Sequence, residues 1–149
     1  NDSYDLENSH VLPALISKIH KAKLDKNKEL KIWGSGKPLR EFMHVDDLAE
    51  GAIFMINQSF KYLYQNNLSH INIGTSEEIT IGDLAKLISK KINFKGRISF
   101  DTSKPDGTPR KVMDSSHINS LGWNSTISLS EGIDETILDY LNRYHNYEK

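Results

Sequence analysis

The stretch Trp33-Gly34-Ser35-Gly36-Lys37-Pro38-Leu39-Arg40-Glu41-Phe42-Met43-His44-Val45-Asp46-Asp47 constrains this chain more than any other. Two glycines and a proline punctuate a tight turn over residues 34–38. Residues 40–45 alternate Arg, Phe and His against Glu, Met and Val, a period suited to a strand. Asp46 or Asp47 then caps a helix carrying Leu48, Ala49, Ala52, Ile53, Met55 and Ile56. An arginine on a strand beside a Gly-rich loop offers a fixed cation to an anionic ligand such as a sugar nucleotide.

The flanking elements follow from the same signals. A helix is expected from about Ser9 to Lys26, with Val11, Leu12, Leu15, Ile16, Ile19 and Leu24 as its apolar stripe and Asn8 or Ser9 as its cap. Pro13 sits in its opening turns, where a missing N–H does little harm. Leu30 to Trp33 reads as a short strand. The helix after Asp47 continues through Phe60, Leu63 and Tyr64 until Asn66-Asn67 breaks it, and His70 to Gly74 reads as a compact strand. Thr80 starts a helix with Asp83 answering the cap and Leu84, Ala85, Leu87, Ile88 and Ile92 on its buried face. Gly96 ends the next turn, Arg97 to Phe100 is a strand, and residues 103–111 form a polar loop holding two prolines. A short helix covers Ser115 to Leu121. The last helix opens on the capping box Ser128…Glu131 and runs to about Tyr144 through Ile133, Ile137, Leu138 and Leu141.

This order is mixed α/β, with too few central strands for a complete doubly wound sheet. Only His70 to Gly74 is apolar enough for a large parallel sheet, which suggests one Rossmann strand and its helices belonging to a larger domain. At 149 residues the chain suffices for one domain. Its 37% hydrophobic content and mean hydropathy of -0.54 fit a domain with much loop and a surface meant to be covered. Lys+Arg 19 against Asp+Glu 20 leaves a net charge of -1, which gives no electrostatic case for nucleic acid or an anionic membrane. No arginine or lysine stripe appears, and no run approaches the roughly 20 apolar residues of a membrane span. The absence of cysteine removes disulfides, thiolate metal sites and a cysteine nucleophile, and fits a reducing, cytoplasmic compartment. The polar start Asn1-Asp2-Ser3-Tyr4-Asp5 has neither an initiator Met nor a signal-peptide pattern, and reads as a cut through a loop.

Five segments together carry a resemblance: Asn8-Ser9-His10-Val11-Leu12-Pro13-Ala14-Leu15, Trp33 to Gly36, Arg40 to Asp47, Ser69 to Gly74, and Lys104-Pro105-Asp106-Gly107-Thr108-Pro109-Arg110-Lys111. In this order the chain resembles the C-terminal half of the GDP-L-fucose synthase family, NADPH-dependent epimerase/reductases of the extended short-chain dehydrogenase/reductase superfamily. The segment from Trp33 to Asp47 indicates the superfamily. The Asn-Ser-His-Val segment combined with the Lys-Pro-Asp-Gly-Thr-Pro-Arg-Lys loop is more selective. The fold implied is a small mixed α/β substrate-binding part plus a last Rossmann strand and helices, with the NADP-binding Rossmann part absent from residues 1–149.

The resemblance also implies roles. His10 matches the acid that protonates a sugar carbon during epimerisation, a task for a group titrating near neutrality, and it would also touch the cofactor. Arg40 matches a substrate-contacting arginine whose fork suits diphosphate or sugar oxygens; a surface strand residue paired with Glu41 or a nearby Asp is the alternative. Trp33 matches a residue lining the substrate site, against a core tryptophan ending a strand. Lys18 falls where the family has an arginine, so the charge is kept without the bidentate geometry; a solvated helix lysine is the alternative. Asp106 and Lys111 match substrate contacts in a loop stiffened by prolines, against exposed charges of a Pro-Gly turn. Asp46 and Asp47 read as helix N-terminal carboxylates and His44 as a strand residue, and no metal site is expected from the three.

Three features of the whole enzyme are missing here. No Gly-rich dinucleotide motif occurs, no Tyr-x-x-x-Lys pair is present, and the family's cysteine base is lacking. By the resemblance these precede Asn1, so the chain holds the acid and much of the substrate pocket and cannot carry out the reduction alone. The substrate implied is a GDP-sugar, the cofactor NADP, and the assembly a homodimer. A related GDP-sugar enzyme, for example one acting on a GDP-heptose, and a non-catalytic nucleotide-sugar binding module are the alternatives.

Overall fold

A computed structural model describes residues 4, 9–58 and 60–147. The elements are α1 (Val11–Leu24), β1 (Glu29–Trp33), β2 (Leu39–Arg40), α2 (Val45–Ile56), α3 (Phe60–Gln65), β3 (Ile79–Thr80), α4 (Ile81–Ile92), β4 (Arg97–Asp101), β5 (Arg110–Lys111), α5 (Ser116–Ser120) and α6 (Leu129–Tyr147). The architecture is the mixed α/β one expected. The chain divides into two compact units. The first is Asn1–Pro38, Thr80–Pro109 and Ile133–Lys149, and the second is Leu39–Ile79 and Arg110–Gly132.

In the first unit β1 and β4 pair in parallel, with Glu29 opposite Arg97 and Trp33 opposite Asp101. Parallel neighbours need a crossover, and α4 supplies its helix. The core is formed by Leu15, Ile16, Ile19 and Ala22 of α1 with Leu84, Ala85, Ile88 and Ile92 of α4, joined by Phe94, Ile133 and Tyr140. Each fully buried Ile or Leu contributes about 1.5–3 kcal/mol, so these two helical stripes dominate the unit's stability. The ends of α4 are fixed locally. Thr80 Oγ1 accepts from the Asp83 N–H at 3.0 Å and donates to the Asp83 carboxylate at 2.8 Å, as the sequence predicts. At the other end Asn93 takes the left-handed conformation (φ 60°, ψ 40°), and Lys23 Nζ donates to the Ile92 carbonyl at 2.8 Å.

In the second unit a small sheet has the order β3-β2-β5, with β2 and β5 parallel and Arg40 opposite Lys111. Ile118 and Trp123 are buried beside α2, where Gly51 leaves room: a Cβ there would stand 2.8 Å from Ile73 Cγ2 and 3.0 Å from the Trp123 ring. Asp47 is 1% exposed. Its Oδ1 accepts from Thr126 N and Oγ1, each at 3.0 Å, and its Oδ2 accepts from Ile127 N at 3.0 Å.

Several expected boundaries shift. The cap of α1 is His10, whose side chain makes no capping bond; Ser9 lies one residue before it, and Asn8 lies outside the described residues. The strand over residues 40–45 shrinks to Leu39–Arg40, because Glu41 turns its carboxylate to backbone N–H groups elsewhere and His44 becomes the cap of α2, with Nδ1 accepting from Asp46 N at 3.3 Å. That leaves Asp47 inside the first turn and facing the interior. The long second helix breaks at Asn57 into α2 and α3. Residues 71–74 are half-buried to buried and His70 is exposed, and residues 70–74 carry no regular element, since among the described residues no neighbouring strand ladders to them. Lys111, expected in a loop, lies in β5. The last helix opens on the predicted capping box, with Ser128 Oγ donating to Glu131 at 2.7 Å and accepting from its N–H at 3.2 Å.

Candidate substrate-binding site

The first unit holds four of the expected residues: His10 at the cap of α1, Lys18 within α1, Trp33 at the end of β1, and Asp106 on the loop after β4. Trp33 closes β1 and is 71% exposed, far from the core position that a strand-ending tryptophan would ordinarily take. Two ammonium groups flank its ring, Lys18 Nζ at 5.7 Å and Lys104 Nζ at 5.5 Å from the centroid. Both distances are within cation–π range. An exposed aromatic surface edged by two cations is suited to a flat, anionic or polyhydroxylated ligand. His10 lies at the start of α1, exposed.

Behind Trp33 the chain turns through Gly34 (φ 84°) and Gly36 (φ 73°), conformations that a side chain would strain. Asp106 spans this turn. One oxygen accepts from Ser35 N at 2.7 Å and the other from Ser35 Oγ at 2.6 Å. The Ser35 hydroxyl and amide hold the Asp106 carboxyl below its ordinary range, with Lys37 adding to the effect. Gly34 is required here as well, since a Cβ would collide with the Asp106 carboxylate. Asp106 is therefore an ionised brace of the turn, and each oxygen keeps a further lone pair for a donor.

The second unit holds Arg40 and Lys111. As register partners on β2 and β5 they project to the same face of the ribbon. Lys111 is exposed and makes no ion pair among the described residues, while Arg40 Nη1 donates to the Leu39 carbonyl at 2.7 Å. The neighbouring Arg110 is held by an ion pair: its Nε donates to Glu78 at 2.9 Å and its Nη2 binds the same oxygen. That bond lowers the Glu78 carboxyl and raises the Arg110 guanidinium.

Two residues without an assigned role in the sequence stand out. Lys104 matches Lys18 in its approach to Trp33. Glu41 Oε2 accepts from Met113 N at 2.8 Å, and Oε1 accepts from Ser76 N at 2.8 Å, from Thr75 Oγ1 at 3.2 Å and from Thr75 N. Lys104 lies inside the selective loop and could have been found there. Glu41 gives no sequence signal, because its partners are backbone groups far along the chain. Among the described residues no cluster of three or more His, Asp or Glu is placed to hold a metal ion, and both Asp47 oxygens are engaged by the 126–127 backbone and the Thr126 hydroxyl.

Residues 2–74 match the NAD dependent epimerase/dehydratase family. GDP-L-fucose synthase 1 of Arabidopsis thaliana is 46% identical over 146 residues, covering 98% of this chain and 43% of that protein. The GDP-L-fucose synthase of Escherichia coli strain K12 is 44% identical over 139 residues, covering 91% of this chain and 43% of that protein. A crystal structure of a GDP-6-OMe-4-keto-L-xylo-heptose reductase from C. jejuni superposes with a TM-score of 0.86 at 37% identity, over 95% of this chain and 50% of that one. The chain thus spans half or less of the length of these three proteins. Sequence similarity to GDP-L-fucose synthases thus runs along nearly all of this chain, and its residues 2–74 also carry the NAD dependent epimerase/dehydratase pattern.

Proposed function

We propose that the chain is the C-terminal, substrate-binding half of an NADP-dependent enzyme that converts GDP-4-keto-6-deoxy-D-mannose to GDP-L-fucose. The observation that carries this reading is the 46% identity to a GDP-L-fucose synthase over 98% of the chain. The local chemistry supports it. Arg40 and Lys111 meet phosphate or sugar oxygens, the guanidinium through a fork and the ammonium as a point charge. Trp33 lines the ligand site with Lys18 beside it. Asp106 keeps lone pairs for a ribose hydroxyl pair or a guanine edge while it braces the turn.

His10 has the chemical task. A carbon next to a ketone loses its proton readily, and epimerisation requires that a proton return from the opposite face. The His10 imidazole supplies it from a ring nitrogen and is recharged from solvent between turnovers. His10 is also the one residue proposed to touch the cofactor. Among the described residues no pyrophosphate cradle is found: the turn over residues 34–36 has the Ser35 amide already committed to Asp106. NADP is proposed to be held by the part of the enzyme that precedes these residues. The protein is proposed to be a cytoplasmic homodimer. Among the described residues no helix is long and apolar enough to cross a membrane.

Calorimetric titration with GDP, UDP and dTDP in parallel, repeated on Arg40→Ala, tests the reading. GDP alone should bind, and the substitution should weaken it about tenfold or more, the scale of a lost charge-assisted fork. Equal binding of all three nucleotides would remove the guanosine assignment. The likeness to the C. jejuni heptose reductase favours a second substrate, a 4-keto-GDP-heptose. Turnover of that compound in preference to the 6-deoxy sugar would select it.

A further inference from the structure

We propose that Glu41 is a positioning residue for anion binding, holding Lys111 beside Arg40; this rests on the reading of Arg40 and Lys111 as anion contacts. β2 and β5 contain two residues each, so their ladder is short, and it sets Arg40 opposite Lys111. Glu41 follows Arg40 immediately, just beyond the end of β2. From there its Oε2 takes the N–H of Met113, two residues beyond Lys111, at 2.8 Å. Its Oε1 takes Ser76 N at 2.8 Å together with the amide and hydroxyl of Thr75.

One carboxylate thus ties the strand bearing Arg40 to the segment bearing Lys111 and anchors both to the 75–76 loop. Gly74 makes the anchor possible, since a Cβ there would stand 2.7 Å from Ser115 Oγ and would overlap Glu41 Oε1. The ion pair of Arg110 with Glu78 holds β5 independently, so loosening the Glu41 tie should shift Lys111 without dissolving the strand.

Glu41→Gln is the discriminating change. A glutamine has a single acceptor oxygen. Facing the three donors of residues 75 and 76, that oxygen leaves the amide nitrogen opposed to the Met113 N–H, donor against donor. The substitution therefore cuts the Met113 tie and spares the loop tie.

The experiment is a double-mutant cycle on GDP affinity in the full-length protein, with Glu41→Gln, Lys111→Ala, their combination, and Arg40→Ala as reference. Glu41→Gln should weaken GDP binding about tenfold, within the usual range of coupling between interacting residues, and should have no further effect once Lys111 is alanine. In the same variant the Met113 amide should exchange with solvent faster while the Thr75 and Ser76 amides keep their protection. An equal loss in both backgrounds, no loss at all, or an unchanged Met113 amide would overturn the role of Glu41, provided Arg40→Ala still weakens binding. If Arg40→Ala also leaves GDP affinity untouched, the anion reading of the pair falls, and the role of Glu41 falls with it.

Discussion

Asp47 shows how one buried charge can hold a unit together. Burial pushes its carboxyl up, but the amides of Thr126 and Ile127 and the Thr126 hydroxyl hold it below the ordinary range, with His44 adding to the pull. A carboxylate whose folded pKa is depressed stabilises the fold above its unfolded value, near 3.9 for aspartate, and loses that contribution as pH falls through the folded value. Urea unfolding should therefore show stability roughly level near neutrality and declining below about pH 4. Asp47→Asn should cost about 2 kcal/mol at pH 7, because its amide nitrogen cannot accept from a backbone N–H. The same variant should lose less than the parent between pH 5 and pH 3. A parallel decline in both proteins would show that other carboxylates govern acid unfolding. The sequence placed Asp47 at the helix start as a carboxylate favoured by the dipole, and could not show that its partners come from residues 126–127. The same limit hid Glu41.

At the scale of elements, what was legible was what is local. The capping boxes of α4 and α6 each lie within four residues, so the Thr80–Asp83 and Ser128–Glu131 pairs were readable as they stand. Strands were read less well, because a strand exists only through a neighbour that sequence does not name. Residues 40–45 alternate as a strand should, yet pairing stops at Arg40, and residues 70–74 have no laddered neighbour among the described residues. The short β2–β5 ribbon that sets Arg40 opposite Lys111 left no periodic signature. The caps are open to direct test. Thr80→Ala should lower the stability of the first unit by about 1 kcal/mol, and Thr80→Asp should restore most of it, since aspartate caps as well as threonine does. Thermal unfolding followed by far-UV circular dichroism measures both. An alanine variant as stable as the parent would mean that the packing of Leu84 and Ile88, rather than the cap, fixes where α4 begins.

For the molecule as a whole, the most unusual surface is on α2. Val45, Leu48, Ala49, Ala52, Ile53 and Ile56 recur at helical spacing, the pattern of a face turned to a core. Yet all six are exposed, Val45 at 66%, Ile53 at 59% and Ile56 at 76%, while only Asp47 and Gly51 of this helix are buried. The composition had suggested a surface meant to be covered, and the stripe gives that suggestion a location. A contiguous apolar strip in water carries a free-energy cost that association relieves. The chain purified by itself should accordingly bind a hydrophobic dye and self-associate with rising concentration in light scattering. Ile53→Lys combined with Ile56→Glu should suppress both effects. Because neither side chain supports the core, the urea midpoint should move by less than about 0.5 kcal/mol equivalent. A variant that still associates would place the adhesive surface elsewhere. One that unfolds would show that the α2 stripe is packed in solution, against what its exposure in the structure implies.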